Sequence, residues 1–128
     1  MYIPVKEAFN QMESDFPGER KGVFCSNDTV ANCLLNCIIR KYGTLPPEYK
    51  IVGFDNSPIA EEAIYSISTI GQQIDVIAKE TVSLLAEKIN MKRNGVPEAK
   101  TPVHKVITPV LCRRETTEGV HAERSSTP

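Results

Sequence analysis

The chain has 128 residues, 41% of them hydrophobic and 24% charged, with a net charge of −1. That length fits one domain with a real core. The near-neutral charge excludes a basic surface for holding nucleic acid, and no apolar run is long enough to span a membrane.

The elements follow in chain order. Val5, Ala8, Phe9, Met12 and Phe16 recur at helical spacing, which predicts an amphipathic helix entered after Pro4 and stopped by Pro17-Gly18. Glu19, Arg20 and Lys21 read as a solvated link. Gly22-Val23-Phe24-Cys25 is a short apolar run of strand type, followed at once by the polar triplet Ser26-Asn27-Asp28. Asp28 or Thr29 is expected to cap a second helix reaching Tyr42. Its stripe is Val30, Ala31, Leu34, Leu35, Ile38 and Ile39, with Arg40 and Lys41 in the last turn and Gly43 as terminator.

After the loop Thr44 to Glu48 comes Lys50-Ile51-Val52-Gly53-Phe54, a buried strand closed by a second polar triplet, Asp55-Asn56-Ser57, and Pro58. Strand, helix, strand makes a βαβ unit with parallel strands. Both triplets then fall at the carboxyl edge of the sheet, where open α/β sheets bind ligands. The bland alternative is that Asp55 is an ordinary turn residue.

A short helix is expected around Ile59–Ile64 and a strand over Ile67–Ile70. A long helix runs from Ile74 to about Met91, with Ile77, Ala78, Val82, Leu85, Ala86 and Ile89 on one side. Val103 to Cys112 reads as extended, divided by Pro109 into two edge or crossing segments. The polar tail is expected from Thr116 on.

Catalytic and metal chemistry find no support. Cys33 and Cys37 sit one helical turn apart, while His104 and His121 are distant. Buried packing residues explain such cysteines better than a metal site. There is no nucleophile elbow and no Gly-rich phosphate loop, so neither an enzyme nor a cofactor is expected. The start of the chain lacks the pattern of a secretory signal. The four cysteines are therefore read as reduced thiols in a cytoplasm, too widely spaced at Cys33 and Cys37 for an unstrained disulfide.

Five stretches in order resemble the effector-binding domain of the LacI/GalR family of bacterial transcription regulators. They are Val23 to Asp28, Leu45-Pro46-Pro47-Glu48, Ile51-Val52-Gly53-Phe54-Asp55-Asn56, Ser68-Thr69-Ile70-Gly71-Gln72, and Leu111-Cys112-Arg113-Arg114-Glu115-Thr116-Thr117. Cys25, Gln73 and Cys112 depart from the family's more usual Ala, Pro and Val, without touching a proposed contact. The resemblance implies an α/β fold: a parallel sheet flanked by helices, of the periplasmic-binding-protein-like type, represented mainly by its C-terminal lobe. It places the second lobe at about residues 1–70 and 110–117, a crossing segment at about 71–109, and a polar tail at 118–128. The DNA-binding head and the first lobe's sequence up to the hinge have no counterpart, so Met1 reads as a truncation point.

By the same resemblance Asn27, Asp55 and Gln72 are ligand contacts for a sugar or nucleoside effector. Asn and Gln can each donate and accept, and an ionised Asp can accept from two hydroxyls at once. Phe54 reads as a core aromatic before it reads as a ring face for a sugar. The implied partners are a small effector, operator DNA through the absent head only, a second copy of the chain in a homodimer, and no membrane. The alternative is a fragment of an exported periplasmic sugar-binding protein of the same fold. In either case the long helix would present an apolar face made to pack on a lobe this chain does not carry, and pairing of two chains through it is expected.

Overall fold

The computed structural model describes residues 2–98 and 101–120. The elements are α1 (Tyr2–Asp15), β1 (Lys21–Phe24), α2 (Asp28–Tyr42), β2 (Tyr49–Phe54), α3 (Pro58–Glu62), β3 (Ser68–Gly71), α4 (Ile74–Arg93), β4 (Val110–Cys112) and α5 (Glu115–Glu118). They make a four-stranded sheet in the order β1-β2-β3-β4 flanked by helices, as expected for the α/β class. β1 runs parallel to β2, with Val23 opposite Ile51, and β2 runs parallel to β3, with Gly53 opposite Thr69.

The chain divides into two compact units. One is Met1–Gly71 with Leu111–Pro128, and the other is Gln72–Val110. The first unit holds the core. Leu34, Leu35 and Ile38 of α2 meet Tyr49 and Ile51 of β2, with Phe9 from α1, Ala60 from α3, and Leu45 and Ile67 from the loops. Burying each large apolar side chain here is worth about 1.5–3 kcal/mol. α2 is long enough to cover the sheet because its apolar stripe is unbroken. It ends where Gly43 takes φ 76° and donates its N–H to the Ile39 carbonyl at 2.7 Å.

α1 is held to this core by a polar knot as well as by Phe9. The Glu13 carboxylate accepts from Tyr49 Oη at 2.6 Å, Tyr42 Oη at 2.7 Å and Lys41 Nζ at 3.3 Å. Burial alone would raise the Glu13 pKa, but these donors outweigh it and leave the carboxyl below its ordinary value.

Four expectations need correction. Lys21 is not in a solvated link. It opens β1, pairs in register with Tyr49 and is only 9% exposed. Asp28 does not cap α2, because Asn27 does. Residues 103–108 form no strand despite their β-branched composition, since no strand among the described residues pairs with them; β4 begins only at Val110. Thr116 does not begin a loose tail: it lies in α5, fully buried. Its hydroxyl donates to the Ile51 carbonyl at 2.7 Å and accepts from the Ser68 N–H at 2.8 Å, so α5 stitches β2 to the start of β3.

In the second unit, α4 carries no buried residue, and Val82 and Leu85 are 67% and 58% exposed. Among the described residues, no helix is long and apolar enough to cross a membrane. His121 and most of the predicted tail lie outside the described residues.

Candidate functional site

Because β1 and β2 are parallel, Asn27 and Asp55 leave the sheet at the same edge. Asn27 has an extended backbone, and its Oδ1 accepts from the Val30 N–H at 2.9 Å. Its carbonyl oxygen is thus committed to the helix. The side-chain NH2 is the part left to offer a ligand two donors.

Asp28 follows with its side chain turned inward and 1% exposed. Oδ2 accepts from both the backbone N–H of Ser57, at 2.7 Å, and its hydroxyl, at 3.0 Å. Oδ1 is buried with no partner among the described residues. The space around it exists because residue 53 is glycine: a Cβ there would collide with Asp28 Oδ1. A buried carboxylate therefore ties the start of α2 to the turn that carries Asp55.

That turn is conformationally unusual. Asp55 has φ 103° and Asn56 φ 53°. Asn tolerates the left-handed region, but Asp55 lies well beyond it and is strained. The surroundings fix the turn from several sides. The Asp55 N–H donates to the Ile70 carbonyl at 2.9 Å, and the Asn56 N–H donates to Thr69 Oγ1 at 3.2 Å. Arg114 Nη2 donates to Asn56 Oδ1 at 2.8 Å and to Glu61 Oε1 at 3.3 Å, while Nη1 donates to the Ile67 carbonyl at 3.1 Å. The result sets Asp55 at the exposed carboxyl edge.

An aromatic pair sits at the same ends of the two strands. Phe54, half-buried, meets Phe24 edge-on at 6.4 Å between ring centroids. Phe24 is 66% exposed, too open for a core residue. Sequence reasoning weighed Phe54 and overlooked Phe24, Arg114 and the Asp28–Ser57 tie. For Arg114 a signal existed in the closing Arg-x-Thr stretch. Gln72, half-buried, opens the second unit. Asn27 and Asp55 thus share one sheet edge, and Gln72 belongs to a different unit.

Each unit has a concavity of its own. One of about 750 Å³ is at the opposite edge of the sheet, and one of about 440 Å³ is in the second unit beside α4. Among the described residues no three His, Cys, Asp or Glu side chains cluster as metal ligands.

Comparison with known proteins places this geometry. The family described as the periplasmic binding protein-like domain matches residues 2–117. The probable HTH-type transcriptional repressor ExuR of Bacillus subtilis is 28% identical over 104 residues, 67% of this chain and 31% of that protein. The sucrose operon repressor of Pediococcus pentosaceus is 31% identical over 68 residues, 53% of this chain and 21% of that one. The chain thus spans a third or less of the curated relatives it matches. Among solved structures, a LacI-type transcription regulator from Bifidobacterium animalis subsp. lactis superposes with a TM-score of 0.66 at 31% identity, over 92% of this chain and 40% of that one. Matched along nearly its whole length, the chain belongs to the periplasmic binding protein-like domain family, and among that family it is similar to LacI-type transcription regulators.

Proposed function

We propose that this chain is the effector-sensing part of a bacterial transcription regulator. Its ligand is a small polyhydroxylated molecule, a sugar or nucleoside, held at the carboxyl edge by Asn27 and Asp55. One observation carries this reading: the Asp55–Asn56 turn holds two successive positive φ angles and is fixed by Asp28, Thr69 and Arg114. Strain of about 1–3 kcal/mol per residue persists where surrounding structure over-determines it, and such sites are commonly ligand clamps. An ordinary turn would not need so many partners.

The side chains suit hydroxyls. The Asp55 carboxylate accepts, the Asn27 amide donates, and the Phe24–Phe54 pair offers an apolar flank for a sugar face. The related repressor whose name specifies a sucrose operon supports a saccharide. In this reading the parent protein works in the cytoplasm as a homodimer and is not an enzyme. It touches operator DNA through a head outside these residues, and effector binding changes its affinity for that DNA.

Calorimetric titration with sucrose, glucose, ribose and adenosine tests the site. Saturable binding by one of them, weakened more than a hundredfold in Asp55→Ala, is expected, since about 3 kcal/mol follows from leaving ligand hydroxyls without their charged acceptor. Binding that survives both Asp55→Ala and Asn27→Ala would refute this edge as the site.

A further inference from the structure

The chain has seven asparagines, and the fold constrains them unequally. Asn10, Asn32, Asn36 and Asn90 lie inside α1, α2 and α4, where the N–H of the following residue is held by the carbonyl four residues before it. Asn27 Oδ1 accepts from the Val30 N–H at 2.9 Å. Asn56 Oδ1 accepts from Arg114 Nη2 at 2.8 Å, and the next N–H, that of Ser57, is bound to Asp28 Oδ2 at 2.7 Å. In each case the side-chain amide or the neighbouring peptide nitrogen is fixed.

Asn94 is different. It is exposed at the end of α4, and among the described residues its side-chain amide has no hydrogen-bond partner. Gly95 follows with φ 71°, and a Cβ there would meet nothing within 4 Å. No side chain therefore shields the Gly95 nitrogen. The helix closes by two bonds, from the Gly95 N–H to the Lys92 carbonyl at 3.2 Å and from the Val96 N–H to the Met91 carbonyl at 2.9 Å. The first is at the long end of the range for such bonds. Because α4 carries no buried residue, its last turn opens without giving up packing.

We propose that Asn94-Gly95 is a self-modification site, at which the asparagine is converted to aspartate and isoaspartate with water as the co-reactant. The Gly95 nitrogen loses its proton to hydroxide and attacks Asn94 Cγ. The N–Cγ bond forms, the Cγ–Nδ2 bond breaks, and Nδ2 takes up a proton and leaves as ammonia. Water then opens the cyclic imide. Breaking the bond from nitrogen to Cγ yields aspartate, and breaking the bond from nitrogen to the backbone carbonyl carbon yields isoaspartate. The sum is one water consumed and one ammonia released, with nothing oxidised or reduced. Adjacent placement of nucleophile and electrophile is what lets so weak a nucleophile react. The new carboxylate lies at the carboxyl end of α4, where the helix dipole disfavours an anion. The isoaspartyl form also adds a carbon to the main chain, which misaligns the two closing bonds. The site lies in the second unit and does not depend on what binds at the Asn27–Asp55 edge.

Storage of the full chain at pH 8, followed by rapid acidic digestion and mass spectrometry, tests it. The peptide holding Asn94 should gain about 1 Da, the change from an amide to a carboxyl group, about tenfold faster than the peptide of any other asparagine. The rate should rise with pH, because the Gly95 nitrogen reacts as its anion. An isoaspartyl methyltransferase should transfer methyl groups from S-adenosylmethionine to the stored protein and not to fresh protein. Asn94→Gln, which would need a larger ring, and Gly95→Ala, which sets a methyl group beside the nitrogen, should each slow the change about tenfold or more. Both positions are exposed and lie outside the core, so the variants keep the fold. Faster reaction at Asn27 or Asn56, an Asn94 peptide unchanged after weeks of storage, or an undiminished rate in Gly95→Ala would overturn the proposal.

Discussion

Replacing Thr116 by Val removes one hydroxyl and keeps the side chain's shape. In the folded protein that hydroxyl is fully buried and serves two backbone groups of different strands, the Ile51 carbonyl and the Ser68 N–H. Valine would leave the Ser68 N–H buried without an acceptor, at about 1–3 kcal/mol, and forfeit roughly 1 kcal/mol more at Ile51, about 2–4 kcal/mol together. That is a large share of a domain's stability, typically about 5–15 kcal/mol. The assay is built into the composition. There is no Trp, and all four Tyr, at positions 2, 42, 49 and 65, lie in the first unit. Tyrosine fluorescence during urea unfolding therefore reports the first unit alone. With a urea slope of about 1–1.5 kcal/mol/M, the midpoint should fall by about 1.3–4 M without a change in slope. Thr116→Ser keeps the hydroxyl and should lose only about 1 kcal/mol of packing. A Val variant within about 0.5 kcal/mol of wild type, or a Ser variant as damaged as Val, would refute the claim that this hydroxyl stitches the sheet.

Other outcomes follow from the same structure. Glu13 has its folded pKa below the ordinary 4.5, so its contribution is fully present above that value and fades as pH falls through the lower folded value; Glu13→Gln should flatten the acid limb of the stability profile, and an unchanged limb would count against the Tyr49–Tyr42–Lys41 knot. Burial pushes the Cys25 thiol up to about 11, so iodoacetamide at pH 8 should label the half-buried Cys33 and Cys112 first and leave Cys25 for denaturant; early labelling of Cys25, read by mass spectrometry, would contradict its packing. Gly53→Ala forces a methyl group into Asp28, so the Ser57 tie should break and the amide signals of residues 55–57 should shift or broaden; an undisturbed turn would show that the carboxylate can move aside at little cost. The apolar side of α4 leaves Val82, Leu85 and Ile89 open, and sedimentation at micromolar concentration should find a dimer that Leu85→Asp dissociates; a monomeric wild type would end the pairing idea.

The sequence by itself determined whatever depends on near neighbours along the chain. The stripe from Val30 to Ile39, closed by Gly43, specified α2, because helical periodicity and a left-handed terminator are local properties. Two apolar runs separated by that helix specified parallel strands, and parallel strands required the triplets at 26–28 and 55–57 to share an edge. Motif likeness then supplied Asn27, Asp55 and Gln72 as candidates. Only the tertiary structure decided what distant partners do to individual side chains. By local rules Asp28 was as good a cap as Asn27, yet Ser57, 29 residues on, took its carboxylate into the interior. Lys21 looked like surface until register set it beside Tyr49. Thr116 looked like the start of a tail until Ser68 and Ile51, 48 and 65 residues back, needed its hydroxyl. Val103 to Thr108 had the composition of a strand and, among the described residues, no strand to pair with. In each case the deciding interaction joins residues far apart in sequence, and a buried polar group must find its partner wherever the fold brings one.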